Sequence, residues 1–501
     1  MTGNRDQAAY KPPLRLRFLV VGLGREGTAV ARFLAQRGAA VTVTDTRPPE
    51  ALRAAVAQLA GLDLSFALGE GDHPPTLLDE ADVLVVSPGV PLDIPFLVEA
   101  RRRGLPLSSE TRIFARSCPA PVIGITGSSG KTTTTALVGE MLRAAGHRTW
   151  VGGNIGRPLI TTVDEITPTD RVVVELSSFQ LDLLGSWPDA YRRPPIHNAL
   201  TDPAGWSPHI AAILNIRPNH LDRHGTLAAY TAAKRNIVAH QQPGDVAVLN
   251  LDDPTLREIA RDLEQDVAWF STEQPVERGA YLRRGDSRHD DELVLRDDQA
   301  QTVICQRADV LLLGEHNLAN VLAACAVAHT AGVPVGPIRQ AATTFRGVEH
   351  RLELVRERNG VRWYNDSIAT APERAVAALR SFDAPIILLA GGRDKHLPWE
   401  DMARLAWHKA PHIILFGEAA PAIERALAAT RPDKPDPHGP GGHQHAEVHT
   451  AGSLARAVAL AAQLARPGDV VLLSPGGTSF DAYTDFVERG EHFRRLVETL
   501  E

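Results

Sequence analysis

Val122-Ile-Gly-Ile-Thr-Gly127-Ser-Ser-Gly130-Lys131-Thr132-Thr133 runs from a short apolar segment through a Gly/Ser turn into a helix-forming segment that reaches about Ala145. Strand, glycine-rich turn and helix in that order aim free backbone N–H groups and the positive helix end at one point, where a phosphate can sit. Lys131 adds a charge for the outer phosphates, and the Thr132 hydroxyl suits a Mg2+ ion. The glycines let the backbone approach without Cβ clashes. The string is not a strict Walker A, because Ile125 stands where the first glycine of that pattern belongs. A plain turn with a surface lysine is the competing reading. The coincidence of loop, lysine and hydroxyl in a strand-to-helix context outweighs it.

Outward from this point, strand-length apolar runs alternate with helical patterns. Upstream lie Phe18–Leu23, a helical stretch Gly27–Arg37 stopped by Gly38, then Ala40–Asp45 and Ala81–Val86. Downstream lie Val172–Leu176, Ala211–Ile216, Val246–Leu251, Ile386–Ala390, Ile413–Phe416 and Val470–Ser474. This spacing predicts parallel sheets with crossover helices. A chain of 501 residues makes about three domains. The Pro-rich Ser117–Pro121 and a restart after Thr344 place the boundaries. The fold expected is three consecutive α/β domains: Rossmann-like over 1–118, P-loop ATPase-like over 119–345, and Rossmann-like over 346–501. Pro188–Ser207 and Arg431–His449 read as irregular insertions. The second carries His438, His443, His445 and His449; without an accompanying carboxylate or cysteine pattern, a solvated loop is expected rather than a metal tract.

Lys and Arg number 53 against 60 Asp and Glu, a net charge of −7 with no basic block, which argues against a nucleic-acid partner. Cys118, Cys305 and Cys325 form no CxxC pair, so neither a disulfide framework nor a structural zinc site is expected. The N-terminal MTGNRDQAAYKPPLRLR lacks the apolar core of a signal peptide. No run approaches the ~20 apolar residues of a membrane span. A cytoplasmic protein with no membrane partner is expected.

Further strings carry chemistry. Gly22-Leu-Gly24-Arg-Glu-Gly27 follows a strand and opens a helix, and Asp45 ends the next strand. That fits an NAD fingerprint, though the same geometry can take another diphosphate. Glu175 ends an apolar strand in Val172-Val-Val-Glu175-Leu-Ser-Ser-Phe-Gln-Leu181, where a Mg2+ on nucleotide phosphates would need an oxygen ligand. His220, in Ile213-Leu-Asn-Ile-Arg-Pro-Asn-His220-Leu-Asp-Arg-His224, lies just beyond a strand, where ligands collect in open α/β sheets. Lys234 alone reads as a helix-surface lysine, and the asparagines of Leu311–Asn320 as helix caps.

GITGSSGKTTT resembles the ATP loop of the Mur ligase family, which builds peptidoglycan precursors; folylpolyglutamate synthases share that loop type. ELSSFQL and the ordered motifs from Phe18 to about Phe493 resemble the D-glutamate-adding members of the family. The resemblance implies a monomeric ligase that uses ATP to join D-glutamate to UDP-N-acetylmuramoyl-L-alanine through an acyl phosphate, forming ADP. It implies two Mg2+ sites held by Thr132, Glu175, His220 and a carbamylated Lys234, with Lys131, His220 and Lys234 catalytic. Asn219 stands where an acidic residue is usual and is assigned no role. The implied ATP contacts are Gly127, Ser128, Ser129, Gly130, Lys131, Thr132, Thr133, Asn317, Asn320, Arg351 and Asp366. The UDP-substrate falls on Leu23, Gly24, Arg25, Asp45, Thr46, Arg47, Ser87, Pro88, Gly89 and Asn154. The acceptor falls on Thr370, Lys395, Ser479, Phe480 and Phe486. UDP is favoured over NAD because a complete ATP site follows on the same chain. One departure bears on the acceptor: Asp366-Ser-Ile368-Ala-Thr370-Ala371-Pro372-Glu carries Ile368 where the family string has lysine, and Ala371-Pro372 where it has asparagine. A Mur-type ligase for another acceptor, such as L-glutamate, and an NAD-dependent oxidoreductase are the alternatives.

Overall fold

The computed structural model describes residues 16–500 except 70, 155–157, 189–199, 201, 288–289, 299, 313, 396 and 433–445. Contacts group the chain into two units: Met1–Val310 with His316–Thr344, and Leu311–Glu315 with Phe345–Glu501. Three sheets carry the fold, two in the first unit and one in the second.

The first sheet holds β1 (Arg17–Val21), β2 (Ala40–Asp45), β3 (Ser65–Leu68), β4 (Val83–Val86) and β5 (Leu107–Ser108). Its order is β3-β2-β1-β4-β5, all parallel. The strand order reverses between β1 and β4, which opens a crevice beyond their carboxyl ends. Ser65–Leu68 was absent from the sequence reading: it is a short edge strand, exposed or half-buried throughout, with only three apolar residues. The first helix starts at Arg25 rather than Gly27. Gly27 lies inside it because any Cβ there would sit 2.0 Å from the Gly22 carbonyl oxygen.

The second sheet holds β6 (Val122–Thr126), β7 (Thr149–Gly153), β8 (Arg171–Glu175), β9 (Ile210–Ile213), β10 (Val246–Asn250), β11 (Asp266–Ser271), β12 (Gly279–Arg283), β13 (Glu292–Arg296) and β14 (Gln301–Gln306). The order is β14-β13-β12-β11-β10-β9-β6-β8-β7. Strands from β7 to β12 are parallel, and β12, β13 and β14 form an antiparallel meander that the sequence reading missed. β6 is buried at every residue, as a strand covered on both faces must be, so its side chains are continuously apolar or small.

Arg112 ties the two sheets' domains together. It lies on the helix Glu110–Ser117, whose N-terminus Ser109 caps by accepting the Arg112 N–H. Its fully buried guanidinium donates to the carbonyls of Leu183, Gly185, Asp202 and Ala204 at 2.7–3.2 Å. Leu183 and Gly185 precede the expected insertion Pro188–Ser207, and Asp202 and Ala204 lie near its end; most of that segment lies outside the described residues.

The third sheet holds β15 (Glu353–Arg358), β16 (Val361–Asn365), β17 (Ile386–Gly391), β18 (His412–Phe416), β19 (Glu447–Gly452) and β20 (Val470–Gly476). Its order is β15-β16-β20-β17-β18-β19, parallel except for β15. Apolar cores lie on both faces. His438, His443 and His445 fall outside the described residues. The solvated-loop expectation is corrected at the end of that segment. Glu447–His449 enter β19, because their backbone finds ladder partners on β18. A carboxylate, Glu447, therefore does accompany His449.

Candidate active site

The phosphate loop leaves β6 between β8 and β9 and enters the helix Lys131–Ala144. Gly130 is left-handed (φ +82°), and a Cβ there would meet the Asn320 Oδ1 at 2.1 Å. Only glycine satisfies both demands. Asn320, joined to Asn317 by a 3.0 Å hydrogen bond, thus stands against the loop. The loop is braced from β9's end: Asn215 accepts from the Ser129 N–H at 2.9 Å, and Ser128 Oγ donates to the Arg217 carbonyl. Asn215 was overlooked, although it lies within the string read for His220. Ser129 is exposed, while Thr132 and Lys131 are half-buried at the helix start.

Two lysine Nζ atoms converge on one carbonyl. Lys131 and Lys234 each donate to the Gly127 oxygen at 3.0 Å, and Lys234 also donates to Thr126 Oγ1 at 3.1 Å. Lys234 is 1% exposed, not the surface lysine its helix pattern suggested. Burial, reinforced by Lys131, lowers its pKa to about 6 against the pull of Glu175. Its Nζ lies 4.8 Å over the Tyr230 ring, whose hydroxyl pairs with Ser128 Oγ.

Glu175 ends β8 beside Ile125 in register. Its Oε1 accepts from Asn154 Nδ2 at 3.0 Å, while its Oε2 is buried with no hydrogen-bond partner. A buried carboxylate oxygen without a donor is costly unless a cation or water meets it, so the residue set fits a divalent ion. His220 sits at the head of the short helix Leu221–His224 in a left-handed conformation (φ 52°), exposed and edge-on to Phe179 at 5.1 Å. His224, one turn later, was missed. It stacks on Phe179 and pairs with Ser178 Oγ at 3.0 Å.

The β1/β4 crevice assembles the diphosphate candidates. Ser87 Oγ donates to the Gly22 carbonyl at 2.7 Å. Asp45 accepts from the Leu23 N–H at 2.7 Å and from the Arg47 backbone and guanidinium at 2.7–3.0 Å. Burial alone would raise its pKa, but these donors outweigh it and hold the carboxyl at about 2. Both oxygens are thereby engaged, which leaves Asp45 poorly placed to take the ribose hydroxyls of NAD. Gly24 has open space where a Cβ would point; Arg25, Thr46, Arg47 and Gly89 are exposed, and Pro88 half-buried. Arg25 reaches the Asn154 carbonyl at 3.4 Å, so Asn154 links this crevice to Glu175. A cavity of about 130 Å³ opens between Ser87, Pro88, Phe179, Asp182, Arg223 and His224.

In the second unit, the strings after β16, β17 and β20 meet at the carboxyl ends of adjacent strands. The Gly476 N–H donates to the Ala369 carbonyl, and Arg393 and Thr478 exchange backbone bonds. Arg489, fully buried, donates to Ser367 Oγ, to the Ser367 carbonyl and to the Gly477 carbonyl at 2.8–3.1 Å. It had no signal in the sequence, lying on an ordinary amphipathic helix. Asp366 is buried, which raises its pKa to about 7 against Ser474 and Arg351. Ser479 is buried, Thr370 and Phe486 half-buried, and Lys395 and Phe480 exposed. Ile368 brings no charge, but Arg374 donates to its carbonyl at 3.2 Å.

Residues 16–109 match the Mur ligase MurD-like N-terminal domain, 125–191 and 197–328 the Mur ligase middle domain, and 350–477 the Mur ligase glutamate ligase domain. The chain is 44% identical over 488 residues to the UDP-N-acetylmuramoylalanine–D-glutamate ligase of Symbiobacterium thermophilum, covering 97% of this chain and 99% of that one. It is 46% identical over 491 residues to the protein of the same name from a Roseiflexus species, covering 97% and 98%. Among solved structures, the UDP-N-acetylmuramate–alanine ligase of Thermotoga maritima shares the fold, with TM-score 0.55, 18% identity, and 97% and 100% of the two chains covered. No helix among the described residues is long and apolar enough to cross a membrane.

Proposed function

The chain belongs to the Mur ligase family, and from that membership we propose that it joins D-glutamate to UDP-N-acetylmuramoyl-L-alanine, converting ATP to ADP and phosphate. Residues 1–118 would hold the UDP-substrate, 119–345 ATP, and 346–501 the acceptor, in a monomer working in the cytoplasm where both nucleotides are found. The observation that carries the reading is the phosphate loop set beside a buried Glu175 oxygen that no protein donor satisfies. Mg2+, when bound by Thr132, Glu175, His220 and a carbamylated Lys234, would neutralise the ATP phosphates and the attacking carboxylate.

The loop N–H groups and Lys131 position the γ-phosphoryl group. The alanyl carboxylate attacks its phosphorus and ADP leaves, giving an acyl phosphate. The amine of D-glutamate then attacks the acyl carbon, loses a proton and expels phosphate. Two anions must approach in the first step, so positive charge at the loop does most of the work. Lys234 suits carbamylation because its lowered pKa leaves a neutral amine at pH 7, the form that adds CO2 and releases a proton. Leu23, Gly24, Arg25, Thr46, Arg47, Ser87, Pro88 and Gly89 would line the uridine diphosphate, with Asp45 holding Arg47 and the Leu23 N–H in place. Asn154 would connect that substrate to Glu175. Arg351 and Asp366 would serve ATP. Thr370, Lys395, Ser479, Phe480 and Phe486 would serve the acceptor, with Arg374 restoring the positive charge that Ile368 lacks.

The test is phosphate release from ATP with UDP-N-acetylmuramoyl-L-alanine and single amino acids. Release should require the UDP-sugar and D-glutamate together. Release with L-glutamate instead would reassign the acceptor, and none with any amino acid would refute the ligase reading.

A further inference from the structure

At one edge of the third sheet, its last two strands bring together two imidazoles and a carboxylate, none of them among the residues assigned above. His412 opens β18, and Glu447 and His449 open β19. His412 lies opposite Glu447 in register, and Glu447 and His449 are two residues apart on one strand, so all three share a face. His449 Nε2 and His412 Nδ1 are 3.3 Å apart, and Glu447 Oε2 is 3.7 Å from each. Their three ligand atoms lie within 4.8 Å of one another.

We propose that His412, Glu447 and His449 bind one transition-metal ion of the zinc class, which ties the edge strand β19 to β18. Two nitrogens bound to zinc at about 2.0–2.1 Å with tetrahedral angles are separated by about 3.3–3.4 Å. The observed nitrogen pair therefore needs no rearrangement, and the carboxylate closes by a few tenths of an ångström. Ligation places the imidazole protons on the far nitrogens, His412 Nε2 and His449 Nδ1. Two imidazoles with one carboxylate select zinc, nickel or copper over Mg2+. Glu447 is exposed and both rings are partly buried, so solvent supplies the remaining coordination position. A hydrogen bond from one ring N–H to the other ring is the competing account of the short contact, and it predicts no ion.

The full-length protein, freed of metal with a chelator, would be titrated with Zn2+ by calorimetry in excess Mg2+. One equivalent should bind and raise the thermal midpoint, and Co2+ in its place should show the visible bands of a four-coordinate site. H412A and H449A should each weaken binding by on the order of a hundredfold or more. E447Q, at an exposed position that does not threaten folding, should weaken it less. Phosphate release with the ligase substrates should be unchanged in all three, which separates this site from the proposed reaction. No tight equivalent in the wild type, or tight binding that survives both H412A and H449A, would overturn the proposal.

Discussion

Replacing Gly130 with alanine adds one methyl group where the phosphate loop meets Asn320. The backbone there has φ +82°, which costs a non-glycine residue about 1 kcal/mol. The new Cβ would lie 2.1 Å from Asn320 Oδ1 and 3.2 Å from Leu214 Cδ1. Clearing the first contact needs a shift of about 1 Å in a packed site, an overpacking cost of about 1–3 kcal/mol. Gly130→Ala should therefore lose about 2–4 kcal/mol in all. Asn320→Ala alone gives up the bond to Asn317, worth about 1 kcal/mol. In the double variant the methyl has room, so only the backbone cost and the lost bond remain, about 2 kcal/mol. The two changes should be non-additive by about 1–3 kcal/mol, the double variant being more stable than the sum. Urea unfolding gives the global figure. Hydrogen exchange of the Thr134 amide, which donates to the Gly130 carbonyl at 3.0 Å, gives a local one that does not require the whole chain to unfold in one step. Additivity within about 0.5 kcal/mol by both measures would refute the steric argument.

Arg112→Met should destabilise by about 3–5 kcal/mol, since the carbonyls of Leu183, Gly185, Asp202 and Ala204 lose this buried donor together and, among the described residues, only that of Ala204 keeps another, Arg116; a midpoint shift equivalent to less than about 1 kcal/mol would sink this account. Lys234 binds its proton up to about pH 10.4 when unfolded but only below about 6 when folded, so the unfolded chain holds the extra proton between those values. Stability should rise with pH across that window, and K234M should flatten the rise; an unchanged slope contradicts the burial argument. Added bicarbonate at fixed pH should stabilise the wild type but not K234M. Arg489→Lys cannot span Ser367 and Gly477 at once, so the acceptor's KM should rise at least about tenfold while that for ATP changes little. Equal rises in both would point to general unfolding of that unit.

The strands and loops that bear chemistry were legible because each motif couples a local pattern to its element. β6 and its loop could be located from an apolar run, three glycines and a lysine, and β17, β18 and β20 from runs of apolar residues covered on both faces. The edge strands β3 and β19 were not, since they are exposed or half-buried, and the meander strands β12 and β13 were not, since their buried apolar runs are only three residues long between charged or small residues. Motif residues such as Asn317 and Asn320 could be named as candidates because the string that holds them is contiguous. Residues that act by bracing a loop from elsewhere, such as Asn215, His224 and Arg489, look ordinary in their own neighbourhoods.

By itself the sequence determined the α/β class, the alternation of strands with helices and the phosphate loop. Those properties depend on periodicity and on spacings of a few residues. Tertiary structure decided the chemical state of the side chains. Lys234 became a buried, easily deprotonated amine because Thr126, Gly127 and Lys131 close around it. Glu26 and Glu110, buried at the junction of the first two sheets' domains with Gln180 and Ile160 as donors, are pushed above the usual carboxylate range by loss of water. His449 passed from an expected loop to a strand facing His412, because pairing with β18 satisfies its backbone. Burial and through-space neighbours set a side chain's charge, and a linear pattern does not record either one.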